Sequence, residues 1–205
     1  MLSALRRPLQ RALNRGPVVK FSANADAAAG PSTYSHGVQF FHWTMGGALT
    51  GAVATVLLAQ NTPKEDKEKK TRYMFLHKSC GTLAAMLLVP RLLVRATAAS
   101  PVAIPGAHAI EHIAATISHV ALYGFAIFMP VSGVAMGYFG GGGLPFFFTK
   151  FDAAKEKRPD IAKPAFQWHK KAGVVFEYLI PLHVAGALGH FARGHTIFAR
   201  ILPWK

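Results

Sequence analysis

Four of the ten histidines in this chain of 205 residues are spaced as the axial ligands of a metal would be. His169 and His183 lie fourteen residues apart on one apolar stretch. Fourteen helical residues make about four turns and rise about 21 Å. The two imidazoles therefore leave nearly the same helix face, each toward one side of a bilayer core about 30 Å thick. His42 and His77 sit near the starts of two other apolar runs. Gly46, Gly81 and Gly173 follow His42, His77 and His169 by four residues, and His183 has Gly186 and Ala187 just beyond it. Residues four apart share a helix face, so each imidazole has beside it a flat shelf on which a macrocycle can lie. Histidines held in lipid are costly unless they have a task. Bis-histidine ligation fills both axial positions of a haem iron, leaves none for oxygen and suits electron transfer. His42, His77, His169 and His183 are therefore expected to ligate the iron of two haems b. A binuclear metal centre would need carboxylates inside the bundle, and Glu177 is the only acid within the apolar runs.

The elements that must carry these ligands are apolar helices. Hydrophobic residues make up 51% of the chain and charged ones 16%, too few charges for an ordinary soluble globule. Four runs are long enough to span a bilayer, at about 37–60, 73–94, 113–139 and 166–191. The fold class expected is an all-α membrane protein, a four-helix transmembrane bundle binding two haems b, formed by one domain over 26–205. Residues 61–72 are expected as a polar loop, and Gly140–Gly143 opens a second loop of about 25 residues. Short connections imply an up-down-up-down order. The start of the first span and the end of the fourth then share one side, and the starts of the second and fourth share the other. That order pairs His42 with His183 and His77 with His169.

Charged residues near the ligands suggest supporting roles. Lys78, Lys170 and Lys171 adjoin His77 and His169, while Arg91 and Arg95 lie at the far end of the second run. They are candidate partners for haem propionates, or cations at the headgroups. His190 lies one heptad beyond His183 and is a candidate contact for a propionate or a quinone. His119 reads as a residue bordering a haem edge. His36, His108, His112 and His195 read as loop or interface residues, and Cys80 as a small packing residue.

The formal net charge is +14. The cations lie between apolar spans and not among exposed aromatics, which fits anionic lipid better than nucleic acid. Residues 1–25 hold Arg6, Arg7, Arg11, Arg15 and Lys20 with no acid, and Leu2, Leu5, Leu9 and Leu13 at helical spacing. That composition is expected of a mitochondrial presequence. A lone cysteine excludes an internal disulfide.

The chain resembles the bacterial-type cytochrome b561 family, which includes the cytochrome b domain of nickel hydrogenases. Phe41-His42-Trp43, His77-Lys78-Ser79-Cys80-Gly81 and His119 with Leu122-Tyr123 carry the likeness. So do Pro130-Val131-Ser132-Gly133, Trp168-His169, Leu182-His183, Ala187-Leu188 with His190-Phe191, and Arg200-Ile201-Leu202-Pro203. The likeness covers about Tyr34 to Trp204. It implies a membrane di-haem cytochrome exchanging electrons with ubiquinone, with ligands at His42, His77, His169 and His183. Some members are described as oxidising superoxide and others as membrane anchors for a larger enzyme. The presequence, and a lysine at 170 where an acid is common, depart from the usual pattern; the first suggests a eukaryotic member in the mitochondrial inner membrane. The function expected is electron transfer to or from ubiquinone. The alternative is a haem-bearing accessory subunit of a respiratory complex without turnover of its own.

Overall fold

A computed structural model describes residues 31–102 and 109–203; the expected presequence lies outside them. Four long helices follow one another: α1 (His36–Gln60), α2 (Lys67–Thr97), α3 (Ala109–Phe139) and α4 (Pro159–Ala192). Each is long and apolar enough to cross a membrane. A two-stranded hairpin, β1 (Leu144–Phe146) and β2 (Thr149–Phe151), precedes α4, and a short helix α5 (Ile197–Ile201) follows it.

Contacts along the helices fix their directions. Gly37 on α1 abuts Val94 on α2, and Gly51 abuts Cys80. Position numbers rise on one helix as they fall on the other, so α1 and α2 are antiparallel. The core of this pair is Met45, Ala48, Ala84 and Leu88. Its small side chains let the two backbones come close. Phe125 of α3 stacks on Phe176 of α4, with centroids 5.5 Å apart; Ser132 lies against His169 and Glu111 against Arg193. The second pair is therefore antiparallel too. The two hairpins of helices meet mainly along α2 and α3. Ile117 and Leu182 are 64% and 63% exposed, so these outward faces are matched to lipid and not to a protein core. The chain is a multi-pass membrane protein.

Three helices begin earlier than hydropathy suggested. α2 starts at Lys67 because the Asp66 carboxylate accepts the Lys69 N–H at 3.1 Å, a side-chain N-cap. The expected loop is thus helical from 67 on. α4 starts at Pro159, a residue preorganised for the first helical turn. It continues through Pro164 and Pro181. α3 runs from Ala109, which places Glu111 in its first turn; Glu177 is not the only acid on the helices.

The loop after α3 is also structured. Gly141 and Gly143 turn the chain at φ 78° and 67°, a region open to glycine and rarely to other residues. The chain then pairs Phe146 with Thr149 across a tight turn. The Phe147 N–H donates to Ser79 Oγ at 3.0 Å, which ties the turn to α2 two residues past His77. At the other end, the segment after α4 folds back as α5. Trp43 Nε1 donates to the Ile201 carbonyl at 2.9 Å, and the Tyr34 N–H to the Arg200 carbonyl at 3.0 Å.

Candidate functional site

The four helices bring histidines together at two places, one toward each end of the bundle. At the end holding the hairpin, His77 of α2 faces His169 of α4 with ring centroids 6.2 Å apart and planes at 79°. At the end holding α5, His42 of α1 faces His183 of α4 at 6.3 Å and 57°. Two imidazoles bonded to one metal from opposite sides, with bonds of about 2.0 Å, hold their centroids about 6.3 Å apart. Both separations meet that geometry.

The first pair is oriented by hydrogen bonds. His77 Nδ1 lies 2.8 Å from the Ala52 carbonyl oxygen. A carbonyl only accepts, so Nδ1 carries the proton and Nε2 is left as the ligand atom. His169 Nδ1 lies 2.9 Å from Ser132 Oγ. The Ser132 hydroxyl gives its proton to the Phe128 carbonyl at 2.7 Å, so it accepts from His169. A bond of this kind on the far nitrogen is what orients a metal-ligating histidine. Ser132 escaped attention as a site residue, although it stands in the Pro130–Gly133 segment; a backbone acceptor such as Ala52 leaves no mark in a sequence.

The second pair has ring neighbours in place of acceptors. Trp43 meets His42 edge-on at 5.4 Å. His119 lies 5.5 Å from His183, about three turns inside α3. Arg91 crosses from α2, donates from Nη1 to the Phe41 carbonyl at 2.7 Å and sits 5.7 Å from the Tyr123 ring. Its Nε is buried with no partner among the described residues. Arg95 is occupied differently. It donates to the Ala98 carbonyl at 3.3 Å and to Ser100 Oγ at 2.7 Å, at the end of its own helix.

Glycines stand beside three of the rings. At Gly46 and Gly81 a Cβ would meet nothing within 4 Å. At Gly133 it would meet His169 Cε1 at 3.5 Å, and at Gly173 only the Met129 methyl at 3.6 Å. Lys78 and Lys170 are exposed, and Lys171 lies 4.9 Å from the Trp168 ring. His190 is engaged with His195 and Glu111, a grouping that reading His195 as a loop residue did not foresee.

Residues 33–204 match the family described as prokaryotic cytochrome b561. A relative from Yersinia pestis, "Probable superoxide oxidase CybB", is 24% identical over 131 residues, 63% of this chain and 74% of that protein. The chain belongs to the prokaryotic cytochrome b561 family and is a membrane b-type cytochrome of electron transfer.

Proposed function

We propose that the protein holds two haems b and relays single electrons through the bilayer between a donor at one face and quinone at the other. The observation that carries this reading is the two pairs of imidazoles, with centroids 6.2 Å and 6.3 Å apart, at opposite ends of one bundle. His77 and His169 would hold one haem iron, and His42 and His183 the other. Bound there, each haem would supply a one-electron couple. The Ala52 carbonyl and Ser132 hydroxyl fix the tautomer and plane of the first pair. Gly46 and Gly81 leave flat helix surface beside His42 and His77 for a ring to lie on. The buried Arg91 Nε, without a partner among the described residues, would donate to a propionate of the His42–His183 haem. Exposed Lys78 and Lys170 serve the His77–His169 haem, by contact or by drawing an anionic partner to that face.

The name of the Yersinia pestis relative supports superoxide as the donor, and turnover of its own over a purely accessory part. Two electrons and two protons turn one quinone into quinol, so two one-electron donors would be consumed per quinol formed. The basic, acid-free residues 1–25 support delivery to the mitochondrial inner membrane as a cleaved presequence. Incubating the full chain with isolated energised mitochondria tests that part: import with shortening of the chain supports it, and exclusion from the organelle rejects it.

Anaerobic addition of a short-chain quinol to the purified oxidised protein tests the relay. Both haems are expected to reduce, and to reoxidise when excess quinone is added. Haems that stay oxidised while quinol is present at excess would reject quinone as partner.

A further inference from the structure

We infer that Glu111, His190 and His195 form a binding site for a divalent transition-metal ion of the zinc type, separate from the haem ligands. One ligand atom from each of the three lies within 4.8 Å of the others. They come from the first turn of α3, the last turn of α4 and the turn beyond it. That turn is built to bring His195 back. Gly194 stands at φ 84°. The His195 N–H reaches the His190 carbonyl at 3.1 Å and the Gly194 N–H reaches Phe191 at 2.9 Å, the paired bonds of a glycine-closed helix end. The His195 ring is thereby laid over His190, with centroids 5.1 Å apart and Nδ1 atoms 2.9 Å apart.

Two imidazole nitrogens and a carboxylate are a zinc donor set, with positions left over for water. Donors about 2.0 Å from one tetrahedral cation stand about 3.3 Å from each other. The His190–His195 separation is close to that value, and Glu111 Oε2 is 3.7 Å from His190 Nδ1. The carboxylate is already aimed: Arg193 holds Oε1, which turns Oε2 toward the imidazoles. Arg193 is also the obstacle. Its Nη2 lies 3.4 Å from His190 Nδ1, and its charge opposes a second cation there. Its side chain is 49% exposed, so it can turn out to water as the metal enters. An occupied site would pin the start of α3 to the end of α4, on the face that holds His42 and His183.

The arginine separates a metal site from a merely structural cluster. Calorimetric titration of zinc into the chelator-washed, haem-loaded full chain in detergent is expected to give one tight site per chain. His195→Ala and Glu111→Gln should each weaken it more than about tenfold. Gly194→Ala should do the same by carrying His195 away, since φ 84° strains any residue with a Cβ. Arg193→Gln should tighten zinc binding severalfold, whereas it would loosen a cluster held only by ion pairing. The haem spectrum of each variant reports that the fold is intact. Absence of a stoichiometric site, an affinity untouched by His195→Ala, or weaker binding in Arg193→Gln would overturn the inference.

Discussion

The His169–Ser132 bond gives a residue-scale handle on the electron-transfer site. Acceptance by Ser132 makes His169 a better donor to a metal and favours the ferric state. Ser132→Ala should raise the midpoint potential of one haem by up to about 40 mV, the one-electron equivalent of a hydrogen bond of about 1 kcal/mol. The other haem should not move, which a redox titration of the resolved bands would read. His169→Ala should halve the haem content and leave the His42–His183 haem largely intact; loss of neither haem would break the assignment. At this scale the sequence was informative where chemistry and period coincide. Histidines at matched positions on apolar runs, with glycine one turn on, need only helix geometry to read. Ser132 and His119 were less legible, because their part depends on how α3 is rotated against α4, and one chain's periodicity does not set that rotation.

Among the elements, the glycines of α1 and α2 divide into two kinds. A leucine at Gly51 would press on Cys80 Sγ, already 3.2 Å from the Cβ position, and should destabilise the α1–α2 pair with or without haem. A leucine at Gly46 or Gly81 meets no protein atom at Cβ. Those two variants should fold and insert normally yet lose one haem each, measured as haem per protein after purification. The aromatic hairpin makes a different prediction. Ser79 is fully buried and holds the Phe147 N–H. Ser79→Ala should cost about 1–3 kcal/mol of local stability, seen as faster amide exchange over Leu144–Phe151. Hydropathy located the four spans but not their polar ends. Asp66 and Pro159 carry helix starts that are capping features and not apolar ones. The hairpin is not legible in the sequence because three successive phenylalanines give no two-residue alternation, and its turn is tied to Ser79, far away in sequence.

For the whole molecule, α4 is the common wall. It supplies His169 to one pair and His183 to the other, about 21 Å apart along its axis. Antiparallel packing then brings α2 to the first and α1 to the second. The bundle order could be reasoned from span count and short connections. The closure of one end by α5 could not, since it rests on backbone carbonyls at Arg200 and Ile201. Trp43→Phe removes one of those bonds beside His42, so it should loosen α5 and perturb the His42–His183 haem alone. The central claim is that the two imidazole pairs each hold an iron. A pyridine haemochrome assay, with the reduced-minus-oxidised spectrum of the same pure protein, tests it most directly. Two low-spin b-type haems per chain are expected. A protein pure and folded that carries no Soret band, or never more than one haem, would contradict it.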